Sequence, residues 1–191
     1  ESIAQQEGVD CFRGHPDDVL VRLTAAAERF GVDTVVNCTA DNPFVDPVCV
    51  DRLVDFHLSN KFDCSRSLGI PFGTFAYALS YPAMVHACSI KNEVDTECWS
   101  GYFTATGLFK CGVLQIEDPD IHWPDLRLTV DVPEDFEMVS RIFDELYDAK
   151  KLFSLQDIVS LCRRRPDIAA INADVQQKAP LAIKVKDNIS C

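Results

Sequence analysis

The sequence predicts an α/β fold with a mostly parallel sheet. Two β-branched, apolar segments, 33–40 and 126–130, are each followed by a stretch whose apolar residues recur at helical spacing. Such alternation of strands and helices is typical of βαβ units. The chain has 191 residues, of which 47% are hydrophobic, so it is long enough for one domain with a large core and too apolar for a disordered chain.

Local signals define the first elements. Residues 1–7 favour a helix that ends at Gly8, and the apolar run 9–12 is predicted as a short strand. Proline and two aspartates within 14–18 suit the first turn of a second helix, because acidic side chains stabilise the positive end of the helix dipole. Gly31 closes this second helix.

The following segments continue the alternation. Residues 33–40 are predicted as a buried strand of a parallel sheet, and a helix follows over 46–58, with a proline in its first turn. Residues 62–110 are less regular. Within them we predict a strand at 62–68 and short helices at 82–89 and 95–103.

The last third of the chain contains a second clear strand at 126–130. A long helix over 133–146 follows it and begins at a proline. Ser154 and Asp157 have the spacing of a capping box, which begins a last helix ending near Arg165. Residues 172–191 are predicted to form a polar, loosely held tail.

Charge and hydropathy exclude several functions. The chain carries 18 basic and 30 acidic side chains, a formal net charge of −12. An acidic surface repels polyanions, so we expect no nucleic-acid partner, and the dense basic cluster at 163–165 is interpreted as a helix end. No apolar run approaches the roughly 20 residues of a membrane span. The N-terminus has no signal pattern, which favours a cytoplasmic protein without a membrane partner.

The nine cysteines support the same compartment. Their number is odd, and no pair has Cys-x-x-Cys spacing. This pattern favours reduced, buried thiols in the cytoplasm over the disulfide framework of a small secreted protein. The cysteines and histidines also lack the spacing of a structural zinc site.

Each of the two clear strands is followed by an aspartate, Asp41 and Asp131. In open α/β sheets, ligands bind beyond the carboxyl ends of the strands, so neighbouring strands would bring both carboxylates to one crevice. Two carboxylates suit Mg²⁺, which keeps waters and substrate phosphates as its other ligands. Two structural interpretations stay open: Asp131 could cap the next helix, and Asp41 could belong to a turn. The sequence has no Gly-x-Gly and no Walker-type phosphate loop.

Three motifs occur in a fixed order: CFRGHPDDVLVR at 11–22, TADNPFVDP at 39–47 and LRLTVDVPEDF at 126–136. In combination they resemble the cytidylyltransferase family of SpsF-type proteins of spore coat polysaccharide biosynthesis, which is related to the CMP-Kdo and CMP-sialic acid synthetases. The third motif is the most specific of the three. The resemblance covers nearly the whole chain.

The resemblance implies a Rossmann-like nucleotidyltransferase fold, also called the nucleotide-diphospho-sugar transferase fold. It implies transfer of CMP from CTP, or of a nucleotide from another NTP, to a sugar, sugar acid or sugar phosphate, with Mg²⁺ as cofactor and pyrophosphate released. Asp41 and Asp131 match the catalytic, metal-binding aspartates, and Asp41 also lies on the nucleotide side. Asp18 and Arg22 match a segment near the nucleotide, although they could also form only an i,i+4 ion pair.

The sequence departs from the family pattern in two respects. Relatives begin with a strand and an Ala-Arg-x-Gly-Ser loop that cradles the triphosphate, and residues 1–191 contain no such loop. We therefore expect an N-terminally incomplete nucleotidyltransferase domain, weak activity of this chain alone, and an open sheet edge where the first strand belongs. The segments around Gly73 and Glu97, which the resemblance places at the acceptor site, lack the usual Val-Glu and Arg-Glu pairs and leave the sugar open.

The family also implies a homodimer formed through 62–110, a region rich in aromatic residues that could equally fill the core. Two alternatives to the enzyme remain open. One is a non-catalytic, nucleotide-binding remnant or partner subunit. The other is a glycosyltransferase of similar fold, which would also use aspartates and a divalent metal.

Overall fold

The computed structural model describes residues 1–177 and 182–186. Their helices are α1 (Ser2–Gln6), α2 (Val19–Phe30), α3 (Pro47–Asn60), α4 (Tyr81–Ile90), α5 (Ser100–Thr104), α6 (Pro133–Leu146), α7 (Leu155–Arg164) and α8 (Pro166–Ala169). Their strands are β1 (Thr34–Asn37), β2 (Cys64–Leu68), β3 (Tyr77–Ser80) and β4 (Cys111–Gln115). The α/β class predicted from the sequence is confirmed.

The four described strands form one mixed sheet in the order β1-β3-β2-β4. β3 is antiparallel to both of its neighbours, whereas β2 and β4 are parallel, so β1, β2 and β4 all run in the same direction. The reversed strand explains why the sheet is mixed rather than mostly parallel. Only residues 69–76 separate β2 from β3, which is shorter than the dozen or more residues that a parallel crossover needs.

Helices cover both faces of the sheet. On one face, side chains of α2 and α4 and the aromatic residues of 99–103 pack against Cys64 and Leu79. On the other face, Leu53 of α3 packs against Ala78. A further cluster joins α6 and α7 to the segment 126–130 beside the sheet. This layering leaves the carboxyl ends of β1, β2 and β4 at a common edge.

β1 is shorter and more exposed than predicted. The expected strand was 33–40, but only Thr34–Asn37 pairs, and all four of its residues are half-buried. β1 pairs with β3 on one side, and on its other side no strand pairs with it among the described residues. The β-branched residues identified the strand correctly, but they could not show its place at the end of the described sheet.

Several predicted helix boundaries are confirmed. Gly31 ends α2 with a left-handed φ of 64°. Ser154 and Asp157 exchange the two hydrogen bonds of the capping box that begins α7. By contrast, no strand forms at 9–12, and residues 62–110 are more regular than expected, since they contain β2, β3, α4 and α5.

The predicted strand at 126–130 is an extended segment rather than a full strand. It makes a single parallel bridge, between Phe72 and Arg127. The backbone N–H of Leu128 donates to Phe72, whereas that of Val130 donates to Asp41. The segment does not form a continuous ladder because it bonds two different loops in turn.

The C-terminal tail is better anchored than its composition suggests. Asn172 is buried, and 182–186 return to α4, where Val185 bridges Lys91. Residues 178–181 and 187–191 of the predicted tail lie outside the described residues. None of the helices in 1–177 and 182–186 is long and apolar enough to span a bilayer.

The cysteines of the described residues are free thiols. We predicted buried thiols, but only Cys49, Cys64 and Cys162 are buried, whereas three others are exposed. Burial raises the pKa of Cys49 and of Cys162 to about 11. These thiols are therefore protonated near neutral pH and behave as small apolar side chains.

Candidate active site

The extended segment 126–130 brings the two predicted site aspartates to one place. The backbone N–H of Val130 donates to the carbonyl oxygen of Asp41 at 2.9 Å, and the Thr129 hydroxyl donates to the same oxygen at 3.4 Å. Asp131 is the next residue along the chain. Both aspartates are exposed, so their carboxylates face solvent at the edge where β1 ends. The structure thus brings the backbone of Asp41 next to that of Val130, the residue that precedes Asp131.

A buried arginine holds Asp131. Nη2 of Arg127 donates to Oδ2 of Asp131 at 2.6 Å, and the Asp131 side chain keeps 42% of its surface exposed. Arg127 itself is 8% exposed and also donates from Nε and Nη2 to the two oxygens of Asp135, each at 2.9 Å. A fork of this kind restricts the rotation of both carboxylates.

Asp135 is the centre of this network and is fully buried. Its carboxylate also accepts from the backbone N–H of Asp131 at 3.0 Å and from the amide of Asn172 at 2.7 Å. Burial alone would raise the pKa of Asp135, but the hydrogen bonds from Arg127, Asp131 and Asn172 outweigh it, and the pKa lies below its ordinary value. Asp135 is therefore ionised at neutral pH.

Sequence reasoning did not single out Arg127, Asp135 or Asn172. One signal was present: Arg127 is a charged residue inside the otherwise apolar segment LRLTV. A charge in a buried segment needs a partner, and Asp135 lies in the first turn of α6. Asn172 gave no signal, because it lies in a polar stretch and its contact depends on the tertiary fold.

Asp18 and Arg22, predicted near the nucleotide, do not pair with each other. Oδ1 of Asp18 accepts from Val21 N–H at 3.0 Å, as the N-cap of α2, and from the Thr96 hydroxyl at 2.9 Å; Oδ2 accepts from Lys91. Arg22 instead donates to the carbonyl oxygens of His15 and Pro16. The alternative of an i,i+4 ion pair is thus not seen.

The Asp18 carboxylate is 96% buried in this cluster. Burial alone would raise the pKa of Asp18. The hydrogen bonds from Lys91, Val21 and Thr96 outweigh this effect, so the pKa lies below its ordinary value. Thr96 also accepts from the Leu20 N–H at 2.9 Å. The cluster therefore fixes the loop around 96 to the start of α2.

Gly73 and Glu97, predicted at the acceptor side, lie in different surroundings. Gly73 has a φ of +90°, and a Cβ there would lie 2.5 Å from the nitrogen of Thr129, so Gly73 packs directly against the segment that carries Asp131. Glu97 is exposed, and its backbone N–H donates to Asp95. The structure thus places Gly73 next to the segment that carries Asp131, whereas Glu97 lies next to Thr96, the partner of Asp18.

A row of aromatic side chains connects these two regions. Phe72, which lies under the Arg127 guanidinium at 5.6 Å, contacts Phe75 edge-to-face, Phe75 contacts Tyr77, and Tyr77 contacts Trp99. The centroid distances are 5.7, 5.9 and 5.0 Å. This row of ring contacts links the turn that holds Gly73 to Trp99, three residues after Thr96.

Comparison with known proteins agrees with this architecture. A cytidylyltransferase family model matches residues 2–98, just over half of the chain. The chain belongs to the cytidylyltransferase family. The family match covers the Asp18 cluster and Asp41, while the segment of Asp131 lies beyond it.

Two relatives extend the similarity through most of the chain. An uncharacterized protein of Methanocaldococcus jannaschii is 29% identical over 177 residues, which cover 90% of this chain and 70% of the relative. The spore coat polysaccharide biosynthesis protein SpsF of Bacillus subtilis is 24% identical over 169 residues, covering 86% of this chain and 69% of SpsF.

A solved cytidylyltransferase from Leptospira borgpetersenii has the same fold. It superposes with a TM-score of 0.78 at 22% identity, covering 93% of this chain and 74% of the solved chain. The mixed order of strands with one reversed strand thus belongs to the fold of a known cytidylyltransferase.

Asp41 and Asp131 carry the kind of oxygen donor that a hard divalent cation prefers. Asp41 and Asp131 offer carboxylate oxygens at an exposed edge, and only one oxygen of Asp131 is engaged by Arg127. No group of three or more His, Cys, Asp or Glu side chains converges within 1–177 and 182–186. Such a pair suits Mg²⁺, which binds through one or two carboxylates and takes its other ligands from phosphates and water.

Proposed function

We propose that this cytidylyltransferase moves CMP from CTP to a sugar, sugar acid or sugar phosphate, with release of pyrophosphate and dependence on Mg²⁺. The observation that carries the proposal is the connection of Asp41 to the Asp131 segment by the Val130 hydrogen bond, at the edge where the strands end. Ligands of open α/β sheets bind at this edge. Family membership supplies the class of reaction.

In this proposal Asp41 and Asp131 would hold Mg²⁺ together with the phosphates of CTP. When bound, the ion would neutralise charge that develops as the acceptor oxygen attacks the α-phosphate and pyrophosphate leaves. Arg127 keeps Asp131 in one orientation, so that little ordering is needed when substrate arrives. Asp135 holds Arg127 in turn and acts as a positioning residue.

Asp18 and Arg22 contribute differently to the proposed nucleotide side. Asp18 is buried and acts through the loop around Thr96, which it ties to α2. Arg22 is positioned by the carbonyl oxygens of His15 and Pro16 at the surface of the same region. We propose that Arg22 binds the phosphates of the nucleotide, because a guanidinium forms paired hydrogen bonds to phosphate oxygens.

We place the reaction in the cytoplasm and the active protein as a homodimer, with CTP and a sugar-type acceptor as its small-molecule partners. The free thiols of the described residues agree with a reducing compartment. The second candidate function is nucleotide binding without transfer. It is favoured by the ion pair between Arg127 and Asp131, which occupies one of the carboxylate oxygens that a metal would need.

Pyrophosphate release tests the proposal. Each of the four NTPs is combined with Mg²⁺ and a panel of sugars, sugar acids and sugar phosphates. We expect weak but measurable release with CTP, loss of release in EDTA, and a fall of at least about a hundredfold in Asp41→Asn and in Asp131→Asn, the size typical for losing a transition-state charge stabiliser.

Asp51→Asn on α3 is the matched control, since Asp51 is equally exposed and lies outside the aspartate pair. Circular dichroism of each variant shows that the fold is retained. Binding of CTP without release of pyrophosphate from it in the presence of any acceptor would favour the second candidate. Full activity in both aspartate variants would move the metal site elsewhere.

A further inference from the structure

Two cysteines lie side by side at the start of the parallel strands β2 and β4. Cys64, the first residue of β2, is directly opposite Cys111, the first residue of β4. Among the strand pairs that the structure describes, no other register position sets one cysteine against another. Neighbouring strands lie about 4.8 Å apart, and disulfides bridge Cα atoms that are about 4.4–6.8 Å apart. The register therefore allows these two thiols to be linked without moving the strands.

The preceding residue of each strand holds this register. The backbone N–H of Asp63 donates to the carbonyl oxygen of Lys110 at 2.9 Å, and the backbone N–H of Lys110 donates to Oδ2 of Asp63 at 2.8 Å. These two hydrogen bonds join the chains one residue before the cysteines. The backbones of Cys64 and Cys111 are therefore held next to each other from both ends of the ladder.

Both cysteine side chains lie on the same face of the sheet. Cys64 packs in the apolar cluster that contains Leu79 of β3 and Phe103 of α5. The Cys111 thiol donates to the carbonyl oxygen of the same Phe103 at 3.3 Å. The side chains of Cys64 and Cys111 are also hydrogen-bonded to each other. The two sulfurs thus form an adjacent dithiol next to α5.

The two thiols differ in access and in acidity. Cys111 is exposed, whereas only 2% of Cys64 is exposed. Burial raises the pKa of Cys64 to about 12, and the neighbouring Cys111 adds to the rise. Burial and the charge of Asp63 raise the pKa of Cys111, but the hydrogen bond with Cys64 counteracts that rise. Cys111 is therefore the thiol that a dissolved oxidant reaches, and its thiolate is the better stabilised of the two.

We infer that Cys64 and Cys111 form a reversible disulfide by exchange with a small-molecule disulfide such as oxidised glutathione. The Cys111 thiolate attacks one sulfur of the oxidant, whose other half leaves as a thiolate, so that Cys111 carries a mixed disulfide. Cys64 then gives its proton to water, and its thiolate attacks the Cys111 sulfur and releases the second small thiolate. Two protein thiols are oxidised to one disulfide, while one small disulfide is reduced to two thiols.

This link would act on the segment between the two strands. It would close residues 65–110, which carry Lys91 and Thr96, into a covalent loop. It would also remove the hydrogen that the Cys111 thiol donates to Phe103. Disulfides in a reducing compartment are usually transient, and exposed ones are readily reduced, so we expect a redox-responsive bond rather than a permanent one. The inference does not depend on the transfer of CMP.

Peptide mapping by mass spectrometry tests the inference on the 191-residue chain. The reduced protein is incubated with oxidised glutathione, the remaining thiols are alkylated, and the peptides are mapped without reduction. We expect a peptide pair in which Cys64 is linked to Cys111, and we expect excess reduced glutathione to open the link. The same oxidant in concentrated urea should show no preference for this pair, because the strand register is lost. Absence of the linked pair from the folded protein, or a link that reduced glutathione cannot open, would overturn the inference.

Variants test the order of the two steps. In Cys64→Ser, Cys111 should keep the glutathione that the unmodified chain releases, because no second thiol can displace it. In Cys111→Ser, the buried Cys64 should stay reduced. Cys38→Ser, which changes an exposed thiol, and Cys162→Ser, which changes a buried one, are the matched controls and should leave the link unchanged. Equal amounts of glutathione on Cys111 in Cys64→Ser and in the unmodified chain would overturn the inference. If Cys64→Ser does not fold, the linked peptide pair of the unmodified chain decides.

Discussion

At the scale of single residues, the Arg127–Asp135 pair connects stability to the site. Asp135 is fully buried, and its two oxygens satisfy Arg127, Asn172 and the backbone that leads to Asp131. A buried ion pair need not stabilise a fold more than apolar residues would, but removing one partner is costly because the other charge stays buried. The pair therefore makes the orientation of Asp131 depend on a residue that does not touch solvent.

Asp135→Asn tests this dependence. Because Arg127 would lose its buried counter-charge, we expect the free energy of unfolding to fall by about 3 kcal/mol at pH 7, measured by urea denaturation. Asp167→Asn, which removes the acid of an exposed pair with Arg165, is the control and should change the midpoint little. Equal urea midpoints for the two variants would show that the buried pair stabilises the fold no more than the exposed pair does.

The loss of unfolding free energy in Asp135→Asn should depend on pH in a defined way. The pKa of Asp135 is lowered in the folded state, so its contribution is complete above the ordinary aspartate pKa of about 3.9 and is lost as the pH falls through the folded value. The difference in unfolding free energy between the unmodified chain and Asp135→Asn should therefore be constant from pH 7 to about 5 and shrink below about 4. A difference that grew in acid would contradict this assignment.

At the scale of elements, the turn before β3 determines where the segment 126–130 can lie. Gly73 approaches the backbone of Thr129 so closely that no side chain fits between them, and the neighbouring Phe72 bonds the same segment through its backbone. The turn thus acts as a support for the strand-like segment that ends at Asp131. Residues 69–76 also reverse the chain and so make β3 antiparallel.

Gly73→Ala tests the role of this support. Its added Cβ would lie 2.5 Å from the Thr129 nitrogen, and the positive φ adds strain of about 1–2 kcal/mol. Gly107→Ala is the matched control, since Gly107 has a φ of +73° but open space around it. We expect Gly73→Ala to lower the free energy of unfolding by about 1–3 kcal/mol more than Gly107→Ala does. If urea denaturation showed equal losses of unfolding free energy in the two variants, the close contact with Thr129 would contribute nothing beyond the backbone strain.

At the scale of the whole molecule, fewer aromatic side chains of 62–110 are available for a dimer contact than the composition of that region suggested. Trp99, Tyr102 and Phe103 are buried in the core between the sheet and its covering helices. The most exposed aromatic side chains lie instead on and just after α6, where Phe136 is 65% and Tyr147 68% exposed. The aromatic side chains of 62–110 therefore serve mainly to pack the core of the chain.

The homodimer stays a prediction that light scattering can decide. We expect a mass of twice the 21.3 kDa chain during size-exclusion chromatography. A contact made through half-buried aromatic side chains such as Tyr81 and Phe109 should weaken in the double variant Tyr81→Ser with Phe109→Ser. Phe136→Ser on α6 serves as the control. A monomer at all concentrations would contradict the prediction.

The sequence by itself determined the α/β class and most helix boundaries, because these depend on periodicity and caps that act within a few residues. The roles of Asp41 and Asp131 stay a prediction. Asp18 was predicted near the nucleotide from a local motif, but its partners Lys91 and Thr96 are more than seventy positions away. Only the tertiary structure decided the reversed strand β3, the support of Asp131 by Arg127 and Asp135, and the pairing of Cys64 with Cys111. These features arise where distant segments meet, and the free energy of such contacts depends on burial and geometry that no local pattern records.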